Sequence, residues 1–190
     1  MIINNVQVYG LQESIRRAKY PMATNTEILS GDLTNGIKAL GNSKKGEGHD
    51  QFLTGIIVQF DLTFTIKAWT EGERYHFLDF VSSQSTMHRI AKFDVEKQVI
   101  SYVTQNTINE VNRLKDIYNN NPTSENYLTL LYNVPVGFKL TAGMTTNYRQ
   151  LKTIYSQRKT HRLPEWREVC NWIETLPMFK ELCLGGNDEK

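Results

Sequence analysis

Residues 52–66, F-L-T-G-I-I-V-Q-F-D-L-T-F-T-I, constrain the fold more than any other stretch. Ile56, Val58, Phe60, Leu62, Phe64 and Ile66 recur at every second position, and residues two apart in a strand share a face. β-Branched and aromatic side chains suit a pleated, half-buried surface. The pattern predicts a long strand with one apolar face, which a second layer must cover.

The flanking segments supply candidates for that layer. Residues 2–9 alternate through Ile3, Val6 and Val8 up to Gly10, a short strand and turn. Residues 12–20 read as a helix stopped by Pro21, which lacks an amide donor and disfavours helical geometry before it. Ile28, Leu29, Leu33, Ile37 and Leu40 fall at three- and four-residue spacings and predict a helix over 26–40. Residues 42–50, N-S-K-K-G-E-G-H-D, are a glycine-rich charged loop. A helix is expected over 68–86, with Trp69, Tyr75, Leu78, Phe80 and Val81 available for burial.

Helical patterns at 108–118 and 124–132 flank the breaker N-N-N-P at 119–122 and predict a helical hairpin, with Ser124 as the second cap. Residues 138–146 read as extended. A helix over 147–157 follows, with Tyr148, Leu151, Ile154 and Tyr155 on its apolar side, and another opens at Pro164 and runs to about 176. Trp166 and Trp172 read as core residues of that last helix. No repeat or low-complexity linker interrupts the chain. The expectation is α+β: a single domain over 1–184, an antiparallel or mixed sheet with long flanking helices, and a frayed tail at 185–190.

A chain of 190 residues can bury a core without metal or disulfide support. With 22 Lys and Arg against 20 Asp and Glu, the net charge of +2 demands neither nucleic acid nor a membrane surface. Cys170 and Cys183 lack partners at metal-ligand spacing, so no metal site is expected, and they suit a reducing compartment. Residues 1–10 carry no basic region followed by an apolar run, and no apolar stretch approaches membrane-spanning length; the expectation is a soluble, cytoplasmic protein.

Two stretches concentrate polar groups. Residues 74–89 end in Gln84, Ser85, Thr86, His88 and Arg89, which a helix would deliver to a cleft. In residues 145–167, Arg149, Lys152 and Arg158 recur near helical spacing and Asn147 stands where it would cap. Arginine suits phosphate and planar carbonyl groups because its guanidinium is a rigid fork of donors. Each cluster also has a plain reading: charged residues form solvated helix faces, and His88 with Arg89 can finish a helix against its dipole. His49, in a glycine loop, reads equally as a surface histidine. Ser82, Ser83 and Ser85 have no G-x-S-x-G elbow around them, which excludes a serine hydrolase.

Taken in order, these motifs resemble the flavin-dependent thymidylate synthases. The resemblance rests on Gly48-His49-Asp50 before a strand, Gln84 leading to Met87-His88-Arg89, Asn147-Tyr148-Arg149, then Arg158, His161 and Glu165-Trp166-Arg167-Glu168, and covers most of 48–176. It implies a homotetramer with sites between subunits, binding FAD and a deoxyuridine monophosphate, with NADPH and methylene-tetrahydrofolate as co-reactants and no metal. It implies flavin contacts from His49, His88, Arg89, Asn147 and Arg149, a nucleotide contact from Gln84, and Arg158 as the catalytic, substrate-binding cation that polarises the uracil ring. A cation beside that ring stabilises the charge that develops at C5, while the hydride chemistry belongs to the flavin.

The chain departs from the family pattern at the phosphate-binding positions. Met87 stands where the signature begins with arginine, the following I-A-K-F-D-V-E-K has no counterpart of its serine and second arginine, and Leu131 replaces a further arginine. Two functional expectations follow: a flavin-dependent methyltransferase acting at C5 of a dUMP-like substrate, or a non-catalytic protein that binds or sequesters a nucleotide on the same fold.

Overall fold

The computed structural model describes residues 2–44 and 46–185. In chain order the elements are β1 (Ile2–Tyr9), α1 (Leu11–Arg17), α2 (Asn35–Gly41), β2 (Ile57–Thr65), α3 (Ile66–Gly72), β3 (Asp79–Ser83), α4 (Thr86–Arg89), α5 (Val95–Gln98), α6 (Gln105–Asn120), α7 (Ser124–Tyr132), β4 (Lys139–Asn147), α8 (Tyr148–Arg158), α9 (Pro164–Ile173) and α10 (Phe179–Cys183). The four strands form one antiparallel sheet in the order β1-β2-β4-β3, and the fold is α+β. The chain divides into two compact units. One comprises Asp61–Arg74 and Phe80–Gly143 with the start of β1; the other comprises Asn4–Phe60, Tyr75–Asp79 and the chain from Met144 onward.

In the first unit the core is built from Ile90, Val95, Val99, Ile108, Val111, Leu114, Leu130 and Phe138. Ile108, Val111 and Leu114 come from one stripe of α6, as the period of a helix requires. The expected hairpin of α6 and α7 is present, with the Tyr118 and Tyr127 rings 5.0 Å apart. Thr123, not Ser124, caps α7, its side chain accepting from the Asn126 amide at 3.2 Å. In the second unit Tyr148, Leu151 and Ile154 of α8 are buried with Trp166, Val169 and Ile173 of α9 and Phe179 and Leu182 of α10. Phe60 packs on Trp172 at 4.6 Å, so Trp172 is half-buried while Trp166 is fully so.

Three elements differ from expectation. The helix expected over 26–40 is only α2. Carbonyls of the preceding segment serve the end of α1 and the turn after it instead: Lys19 Nζ donates to Ser30 and Asp32 at 2.9 and 3.0 Å, and Arg16 to Thr26 at 3.2 Å. Gly31 lies so close to Gln12 that a Cβ would sit 2.8 Å from its carbonyl oxygen. The strand expected from residue 52 begins at Ile57, because His49–Gly55 form a 3-10 helix; its alternation holds, with Val58, Phe60, Leu62 and Phe64 buried.

The helix expected over 68–86 is replaced by α3, β3 and α4. Thr65 caps α3, and the helix ends at Gly72. Tyr75 and Leu78 are buried as expected, but β3 is the sheet's edge strand and Phe80 and Val81 stand exposed on it. Of the tail expected at 185–190, residues 186–190 lie outside the described residues.

Candidate functional site

The second unit contains a pocket of about 380 Å³ lined by the start of α8, the 3-10 turn and Phe77. The chain turns into α8 at Asn147, whose Oδ1 accepts from the Gln150 amide at 2.9 Å, as an N-cap does. That cap fixes the first turn of the helix and so brings Asn147, Arg149, Gln150 and Lys152 to the pocket wall. The opposite side carries Asp50, Gln51 and Thr54. Gly48 enters that turn at φ +79°, in the left-handed region that favours glycine.

Asp50 is the electrostatic centre of this wall. It is 6 % exposed, and its Oδ1 and Oδ2 accept from Arg149 Nε at 3.0 Å and Lys152 Nζ at 3.1 Å. A buried carboxylate persists only when so paired. Arg149 Nη1 also donates to Gln51 Oε1 at 2.6 Å, and Lys152 to the Gly41 and Ser43 carbonyls at 2.8 and 3.0 Å. Among the described residues, Arg149 Nη2 and Asn147 Nδ2 have no protein partner. The wall combines one net positive charge with amides, hydroxyls and the exposed Phe77 ring, a mixture suited to a planar, partly anionic ligand.

Arg158 lies deeper in the same unit. The residue is 4 % exposed; its guanidinium donates from Nε to the Tyr75 hydroxyl at 2.7 Å and from Nη1 to His161 Nε2 at 2.6 Å, and lies over the Trp166 ring at 4.9 Å. The Tyr75 hydroxyl in turn donates to Gln157 Oε1 at 3.1 Å. Arg158 does not line the pocket.

The remaining sequence-predicted residues divide by unit. His49 is exposed, one residue before Asp50. In the first unit Gln84 extends β3 against β4: its amide donates to the Thr141 carbonyl and its Oε1 accepts from the Thr141 amide, both at 2.9 Å. His88 and Arg89 are exposed on α4. The Tyr127 hydroxyl anchors that helix by donating to the Thr86 and Met87 carbonyls.

The structure therefore brings Asn147 and Arg149 together at one pocket, and Gln84, His88 and Arg89 onto neighbouring parts of the other unit. Sequence reasoning placed Asp50 in the Gly48-His49-Asp50 motif without giving it a role, and missed Gln51 and Phe77. For Asp50 a signal existed: an acid closing the loop at 42–50, and Arg149 and Lys152 three apart on one helix face. No group of acidic, histidine or cysteine side chains suited to a metal ion occurs among the described residues, and no described helix is long and apolar enough to cross a membrane.

No family model matches the chain, and no curated protein matches it. Solved structures that share its fold include two of flavin-dependent thymidylate synthase ThyX from Helicobacter pylori, each with FAD and dUMP. One matches with a TM-score of 0.76 and 12% identity over 97% of this chain and 99% of that one. The other matches with a TM-score of 0.78 and 11% identity over 100% of both chains. The chain thus has the fold of those enzymes, at a sequence distance where fold alone is established.

Proposed function

We propose that this protein is a divergent flavin-dependent thymidylate synthase that binds FAD and a pyrimidine nucleotide and methylates C5 of a dUMP-like substrate. The observation that carries the reading is a coincidence of order and fold. The motifs Gly48-His49, Gln84, His88-Arg89, Asn147-x-Arg149 and Arg158 run in the family's sequence, in a chain with the fold of enzymes solved with FAD and dUMP.

FAD suits the residues present. Arg149 Nη2 and Asn147 Nδ2 are donors without protein partners at the pocket, and Phe77 offers a ring face. His49, His88 and Arg89 are exposed and available as further flavin contacts, with Gln84 for the nucleotide. The flavin would supply the hydride chemistry, using NADPH and methylene-tetrahydrofolate. The exposed edge strand β3, with Phe80 and Val81 on it, supports a homotetramer with sites shared between copies.

A second reading, a non-catalytic nucleotide-binding protein, is favoured by Arg158. To polarise a uracil ring it must leave the cage of Tyr75, His161 and Trp166, where it is 4 % exposed. Met87, apolar and 55% exposed, points the same way, since the family places a cation there. Purified protein should bind FAD and dUMP in titration calorimetry. Turnover of dUMP with methylene-tetrahydrofolate and NADPH separates the readings: product supports the enzyme, binding without product supports the second, and no binding of either ligand rejects both.

A further inference from the structure

We propose that Asp50 and Lys152 are positioning residues that act through Arg149, leaving it, among the described residues, the one working cation of the pocket. The inference deepens the flavin and nucleotide reading and rests on it.

An ammonium has three donors. Those of Lys152 meet Gly41 O, Ser43 O and Asp50 Oδ2 at 2.8, 3.0 and 3.1 Å, so Lys152 lines the pocket with nothing left for a ligand. Gly41 and Ser43 stand where the glycine-rich loop begins and Asp50 where it ends. One ammonium thereby closes the base of the loop that carries His49.

Asp50 then divides its two oxygens between the cations. Oδ1 takes Arg149 Nε, Gln51 takes Nη1, and two bonds to a rigid planar fork fix both its plane and its direction. Two of the five guanidinium N–H donors are thereby used, and one on Nη1 and both on Nη2 remain. The carboxylate also cancels one of the two positive charges at the wall, so Arg149 is left to present the charge-assisted contacts of the pocket. That suits one anionic group, such as one phosphate of FAD or of dUMP, rather than a cluster of them.

The test titrates FAD and dUMP separately into wild type, D50N, R149Q and the double variant. R149Q should weaken one of the two ligands by roughly 10–100-fold. D50N should weaken the same ligand by at least about fivefold in wild type, and by less than about twofold when added to R149Q, because its effect runs through Arg149. The same loss from D50N in both backgrounds would make Asp50 a merely structural residue and overturn the proposal. If wild type binds neither ligand, the functional reading fails and the role given to Arg149 fails with it.

Loop closure is read separately, without ligand. Trypsin cleavage after the exposed Lys44 should accelerate by about fivefold or more in K152M, compared at matched global stability. An unchanged rate would overturn the role of Lys152 whatever the ligands do.

Discussion

The Nε–H of Arg158 donates to the hydroxyl of Tyr75 at 2.7 Å, across 83 residues of sequence, with Trp166 stacked 4.9 Å from the same guanidinium. Arg158 is therefore part of the second unit's interior. Y75F should destabilise the ligand-free protein by about 1.5–3 kcal/mol, the cost of leaving a buried charged donor unmet. Denaturant midpoints measure this; a midpoint within error of wild type would mean that the bond adds nothing.

Arg89 should behave in the opposite way. It is exposed on α4, and no hydrogen bond or ion pair holds its side chain among the described residues. R89A should change stability by less than about 0.5 kcal/mol. If Arg89 contacts flavin phosphate, the same substitution weakens FAD binding and flattens its salt dependence, both readable by titration at two ionic strengths.

Asn147 caps α8, and in the proposed function it also contacts flavin. N147A removes the cap of α8 and should cost about 1 kcal/mol, whereas N147D keeps the acceptor and should cost less. FAD affinity ranks the variants differently: N147D also loses the Nδ2 donor, so it should bind weakly despite folding well. Parallel melting and titration distinguish cap from ligand contact.

The buried thiols set an alkaline limit. Desolvation pushes Cys170 up to about 11 and Cys183 higher still. The unfolded chain releases these protons near its ordinary thiol pKa of about 8.5 while the folded chain retains them, so the unfolded state binds fewer protons. Stability should thus be undiminished below that pKa and fall as pH rises towards 11, and C170A should flatten the slope. Thermal melts between neutral pH and pH 11 measure it. Alkylation of the native protein at pH 8 should be slow for the same reason.

What the sequence revealed was what local patterning decides. The alternation of Val58, Phe60, Leu62 and Phe64 needs only one strand and one covered face, and both are present. The start of α8 was legible because a cap and a helical period are neighbours in sequence. The segment before α2 was not, because cations at the end of α1 and just beyond it take its carbonyls. Residues 74–89 misled because an edge strand can leave Phe80 and Val81 in the open, where their apolarity mimics a buried helix face. The pocket was half legible. Asn147 and Arg149 announced themselves by motif, but the partner that orients Arg149 lies 99 residues earlier, and no periodicity reaches that far.

The aromatic packing also furnishes an optical handle. The chain has three tryptophans: Trp69 belongs to the first unit, against Phe64 and Phe80, while Trp166 and Trp172 belong to the second, beside Tyr75 and Phe60. Replacing Trp69 with phenylalanine would confine the indole emission to one unit, and replacing the other pair would confine it to the other. Melting curves followed by each signal would then report whether the two units come apart together or in sequence.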